Sequence, residues 1–126
     1  MKEKGINKFF RGFAYAFSGI RDTYKTELNF RFHFFAAIFV ILLGLLFSIS
    51  GVEWLLICLS ITLVMAMELI NTAVEALADS TSTEYNPLIK KAKDAAAAGV
   101  LVVAIFALLI GLCIFVPKVL ILFRLN

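Results

Sequence analysis

The stretch FFAAIFVILLGLLFSISGV, Phe34 to Val52, holds 19 residues without a charge, close to the roughly 20 that a helix needs to cross a bilayer core. Two further uncharged runs follow: WLLICLSITLVMAM, Trp54 to Met67, and AAAAGVLVVAIFALLIGLCIFV, Ala95 to Val116, which stops before Pro117. Over the whole chain 62% of residues are hydrophobic and the mean hydropathy is +0.96, well above the roughly half-apolar content of soluble domains. The expected class is therefore an all-α integral membrane protein. Its 126 residues leave room for a single domain, residues 1–126. The first apolar run starts too late and continues too long for a signal peptide, and it lacks a small-residue cleavage site. The spans are expected to be retained.

The basic residues are grouped. Seven of the 12 Lys and Arg fall in the first 31 residues, and Lys90, Lys91 and Lys93 form a second group. The link near Ser50 to Glu53 has none. By the rule that short cytoplasmic loops are basic, the N-terminus faces the cytoplasm and the C-terminus, with only Lys118 and Arg124, faces out. Before the first span, Ile6, Phe9, Phe10, Phe13, Phe17 and Ile20 recur at spacings of three and four, with Asn7, Lys8, Arg11, Ser18 and Asp22 on other faces. This pattern predicts an amphipathic surface helix over about residues 6–28, lying in the cytoplasmic interface, with a bend near Gly19. The spans are then expected over about 32–52, 54–79 and 94–117. In STSTEYNPLIKKAKD, residues 80–94, Asn86 followed by Pro87 reads as an N-cap and first helical residue, so a helix starts there and runs into the third span. Cys58 and Cys113 each sit in an apolar run and are read as small hydrophobes, without a disulfide.

The second span carries an unusual continuation, MELINTAVEALAD, Met67 to Asp79. At about 100° per residue, Glu68, Asn71, Thr72, Glu75 and Asp79 share roughly a third of the helix circumference. At 1.5 Å per residue from Trp54, Glu68 lies about 21 Å and Glu75 about 31 Å along the helix, against a hydrocarbon thickness of about 30 Å. Glu68 thus falls near the inner edge of the lipid core, and Glu75 and Asp79 at the cytoplasmic interface, the depth of a lipid headgroup. Either of the last two alone reads equally well as a solvated residue. Glu68 does not, because an ionisable group inside a span costs about 3 kcal/mol and faces a cavity or a partner. Carboxylates a turn or two apart near lysines suit a Mg²⁺-nucleotide site, since Mg²⁺ takes one or two carboxylates plus phosphates. There is no Walker A loop, GxGxxG loop or HRD-type loop, and no zinc spacing. His33, at the inner end of the first span, reads as an interfacial polar residue rather than a ligand.

ELINTAVEALAD resembles the signature E-x-x-N-[ST]-A-[IV]-E-x-x-x-D of the small prokaryotic diacylglycerol and undecaprenol kinases. EYNPLIKKAKD is similar to the E-Y-[HN] and A-K-D pair of that family, and the likeness extends from about Lys8 to Pro117. The resemblance implies a homotrimer with three transmembrane helices and an N-terminal surface helix per subunit, and active sites shared between neighbours. The γ-phosphoryl group of ATP would pass to a lipid hydroxyl, with Mg²⁺ as cofactor, at the cytoplasmic face of the cell membrane; no nucleic-acid partner is expected. Carried over by position, Glu68 resembles the general base, Asn71 a residue supporting the phosphates or the reacting geometry, and Glu27 and Glu75 the metal carboxylates. Glu84, Tyr85 and Asn86 resemble the segment at adenine, and Lys93 with Asp94 the pair at the phosphates. Lys8 and Tyr15 fall at nucleotide-facing positions of the surface helix, although Lys8 stands where some members have arginine. Arg31 and Ala97 join Glu68 as lipid-substrate positions. The ELNFRFH and EYNPL runs resemble the undecaprenol kinases of Gram-positive bacteria more than the diacylglycerol kinases of Gram-negative ones.

Two non-enzyme classes compete. A small multidrug-type transporter also uses an intramembrane glutamate, but usually has four spans and an acid nearer the midplane. A holin-like pore former explains three spans with basic ends, yet not the grouping of Glu68, Glu75, Asp79, Glu84 and Lys93 on one membrane side.

Overall fold

A computed structural model describes residues 5–81 and 83–124; Ser82 and both ends of the expected 1–126 domain, residues 1–4 and 125–126, lie outside the described residues. It consists of four helices, α1 (Gly5–Thr26), α2 (Leu28–Leu46), α3 (Gly51–Thr81) and α4 (Pro87–Arg124), with no strand among the described residues. α2, α3 and α4 are each long and apolar enough to cross a membrane.

α1 passes through Gly12 and Gly19 as one uninterrupted helix. The break comes at Glu27 instead, whose backbone is extended at φ −99° and ψ 116°. The Glu27 N–H still donates to the Thr23 carbonyl at 2.8 Å, and its own carbonyl accepts from Arg31 N–H at 3.3 Å. One residue out of helical conformation thus separates α1 from α2, and α2 starts four residues before the expected first span. Thr23 and Phe30, on either side of the break, are buried.

The expected first span runs to residue 52, but α2 ends at Leu46 in a tight turn. Ser48 takes the left-handed conformation at φ 48°, its N–H donates to Leu45 C=O at 3.3 Å, and Ile49 N–H donates to Gly44 C=O at 3.2 Å. This pair of bonds is a Schellman ending, which satisfies carbonyls that a helix end leaves open. α3 then begins with a reciprocal capping box: Ser50 N–H donates to Glu53 Oε2 at 2.7 Å and Glu53 N–H donates to Ser50 Oγ at 3.3 Å. The other Glu53 oxygen, Oε1, meets Lys118 Nζ at 2.9 Å, which ties the start of α3 to α4. Ile49, Ile57, Ile114 and Phe115 are buried beside this corner, with Trp54, Phe47 and Ile110 packed around them.

Gly44 allows the close approach of α2 to that corner. A Cβ there would stand 2.7 Å from Trp54 Cη2 and 3.1 Å from Ile49 Cδ1. Both neighbours belong to the packed cluster, so Gly44→Ala is expected to cost about 1–3 kcal/mol through overpacking. A lower midpoint for loss of helicity on heating in detergent checks this.

α4 shows two further departures. It begins at Pro87 as expected, with Asn86 Oδ1 accepting from Leu88 N–H at 2.9 Å. The expected third span stops at Pro117, whereas α4 continues through it to Arg124. A proline removes one i→i−4 bond, and the apolar residues Val119 to Phe123 extend the helix beyond that defect. Cys58 and Cys113 are free thiols on exposed faces.

Candidate active site

The stripe on α3 passes from the interior to the surface. Glu68 is 3% exposed, Asn71 and Glu75 are half-buried, and Asp79 is exposed. Asn71 Nδ2 donates to Glu75 Oε1 at 3.2 Å across one helical turn, while Asn71 Oδ1 is buried without a hydrogen-bond partner. Glu27 lies at the α1–α2 break, where its Oε1 accepts from Thr26 Oγ1 at 3.0 Å, and α1 packs against α3 as well as against α2. Glu68 Oε1 is also buried without a hydrogen bond, and His33 Nε2 of α2 stands 3.3 Å from it.

A second group forms where α3 ends and α4 begins. Lys93 Nζ meets Asp79 Oδ1 at 2.8 Å, joining the two helices across the connection between them, and Lys90 pairs with Asp94 one turn apart on α4. Ala78, Asp79, Glu84, Tyr85, Asn86, Ile89, Lys90, Lys93 and Asp94 line a cleft of about 320 Å³. Of the residues that the resemblance assigns to the nucleotide, Glu84, Tyr85, Asn86, Lys93 and Asp94 meet there. The Asn86 side-chain oxygen is committed to the α4 cap.

A larger cavity of about 580 Å³ lies between α2, α3 and α4. Its walls are apolar, from Phe115 and Ile57 at one end to Val64 and Met65 at the other, apart from Ser60 and His33. Ser60 Oγ donates to Leu56 C=O at 2.8 Å, so His33 brings the polar group at the end of the cavity nearest Glu68. The volume falls within the 300–1,000 Å³ usual for sites of small organic ligands.

Four further assigned positions lie outside the residues that line the cleft. Lys8 and Tyr15 are exposed on α1, about 28 Å and 18 Å along the helix axis from Glu27 at 1.5 Å per residue. Ala97 is exposed on α4, whereas Arg31 is half-buried at the start of α2. Two contacts escape a sequence reading. His33 and Glu68 sit 35 positions apart on different helices, and no periodicity links them; only their common depth hints at it. Asp79 reads as solvated because its partner lies on the next helix.

The described residues contain no cluster of three His, Cys, Asp or Glu side chains able to hold a metal. The side chains that the resemblance assigns to the metal, Glu27 and Glu75, and the unpartnered amide oxygen of Asn71 beside Glu75 all offer oxygen. That suits a hard cation which completes its shell with phosphates and water, as Mg²⁺ does, and not a closed protein cage.

The prokaryotic diacylglycerol kinase family matches residues 14–115. The undecaprenol kinase of Bacillus subtilis is 45% identical over 113 residues, covering 90% of this chain and 92% of that one. The diacylglycerol kinase of Helicobacter pylori is 38% identical over 109 residues, 86% of this chain and 85% of the relative. That of Escherichia coli K12 is 30% identical over 105 residues, 83% and 86% of the two chains. With the stripe, the cleft and three membrane-length helices lying inside or overlapping the matched region, the chain belongs to the prokaryotic diacylglycerol kinase family.

Proposed function

We propose that this multi-pass membrane lipid kinase phosphorylates undecaprenol, transferring the γ-phosphoryl group of ATP to the lipid hydroxyl to give undecaprenyl phosphate. The reaction class, phosphotransfer to an alcohol, follows from the family. The observation that carries the site assignment is the order along α3: a buried carboxylate at Glu68 beside His33, which lines the apolar cavity, then half-buried Glu75, then the polar cleft at Asp79 and Lys93. A lipid hydroxyl and a water-soluble nucleotide need that order to meet.

In this reading Glu68 accepts the hydroxyl proton as the lipid oxygen bonds to the γ-phosphorus and the bond to ADP breaks. Asn71 holds Glu75 through the bond already formed and presents its open oxygen to the reacting groups. Glu27 and Glu75 would hold Mg²⁺, which would supply neutralisation of the phosphate charge when bound. Lys93 and Asp94 serve the phosphates; Glu84 and Tyr85 flank the base, and Asn86 sets the shape of that segment through its cap. Arg31 and Ala97 face the lipid substrate.

The chain is read as a homotrimer whose sites are completed by a neighbour's surface helix, a reading that rests on the family resemblance and leaves the exposed Lys8 and Tyr15 available to an adjacent subunit. The amphipathic pattern of α1 supports its lying in the cytoplasmic interface, and the basic N-terminal and 90–93 segments support a cytoplasmic N-terminus and active site. No feature of the stripe requires the transporter or pore reading.

The 45% identity to an undecaprenol kinase, against 30% and 38% to two diacylglycerol kinases, supports the polyprenyl substrate. The test offers undecaprenol and diacylglycerol together in mixed micelles with labelled ATP. The expected ratio of kcat/KM favours undecaprenol by about 10-fold or more. A preference for diacylglycerol overturns the lipid assignment, and transfer to neither overturns the reading.

A further inference from the structure

Glu68 Oε1 is buried and unbonded, a state that costs free energy unless something meets it during the reaction. The imidazole of His33 stands beside it, with Nε2 at 3.3 Å. The His33 side chain is 22% exposed where Glu68 is 3%, and it lines the apolar cavity. The separation is within hydrogen-bonding reach, and the bond is not formed in this arrangement.

We infer that His33 is a positioning residue for Glu68: its Nε2–H donates to Oε1 when the lipid is bound, fixes the carboxylate plane, and leaves Oε2 for the lipid hydroxyl. This rests on Glu68 being the base. A carboxylate accepts hydrogen bonds on both oxygens, so a donor held on one leaves the other free for the proton it must take. A neutral imidazole donates this bond without adding the positive charge that a lysine at this position would bring. No proton passes through His33; the one taken from the lipid stays on Glu68 until product leaves.

The test uses the full chain in mixed micelles with the lipid alcohol it phosphorylates. His33→Leu removes the donor and His33→Gln keeps an N–H at similar reach. His33→Leu is expected to lower kcat roughly 10- to 100-fold, the scale of a misplaced reacting group, with KM for ATP unchanged. His33→Gln is expected to recover most of that loss. Wild-type kcat in His33→Leu, or a His33→Gln variant no better than His33→Leu, overturns the inference. Should His33→Leu fail to assemble, His33→Met, which lacks the donor on a flexible apolar chain, is compared with His33→Gln by the same criterion. Glu68→Gln measured in parallel separates the two readings. Full turnover there overturns the base assignment and this inference with it, while an inactive Glu68→Gln beside a normal His33→Leu overturns this inference alone.

Discussion

Glu68→Gln is expected to lower kcat about 1,000-fold, within the 10²–10⁴ range of a lost general base, while leaving KM for ATP nearly unchanged. The substitution keeps the length and shape of the side chain and removes its basicity. Because the nucleotide cleft begins at Ala78, ten residues further along α3, and about 15 Å away at 1.5 Å per residue, the change is confined to the lipid end of the reaction. Phosphate transfer from labelled ATP, paired with a nucleotide-binding measurement, reads both quantities. Turnover at the wild-type rate removes Glu68 from the chemistry. Loss of nucleotide binding together with turnover assigns it to the fold instead.

Glu75→Gln acts on the other half of the site. The amide oxygen of glutamine still accepts the Asn71 Nδ2 bond that Glu75 Oε1 accepts now at 3.2 Å, so the local geometry is kept and only the charge is lost. The free Mg²⁺ concentration giving half-maximal activity is expected to rise about 10- to 100-fold, the usual scale for weakening a metal site by one interaction. A titration of activity against free Mg²⁺ at fixed ATP measures it. An unchanged curve argues that Glu75 does not hold the metal.

The sequence carried the membrane class and the existence of the helices, because hydropathy and the 3.6-residue period are local properties of the chain. It carried the Asn86 cap for the same reason, since a cap is a contact between near neighbours. Helix ends were less legible. The extended conformation at Glu27 is not marked by a glycine or proline, the left-handed turn falls on Ser48 where a glycine is usual, and Pro117 sits inside a helix that its flanks sustain. The stripe was readable because it lies on one helix. The contact of His33 with Glu68 and the bridge of Lys93 to Asp79 were not, because both depend on how helices lie against one another. Packing sets that, and a single sequence does not encode it in any short pattern.

The buried cluster of Ile49, Ile57, Ile114 and Phe115, with the Glu53–Lys118 pair, sits at one end of α3 and α4, and Glu68, Asn71 and Glu75 sit towards the other. From Ile57 to Glu68 the helix rises about 16 Å, beyond the roughly 7–10 Å within which mutations couple. Ile57 and Phe115 of that cluster nevertheless also line the apolar cavity that reaches His33. A substitution there changes the anchor and the cavity wall together, whereas one at the polar end of α3 is free of that constraint.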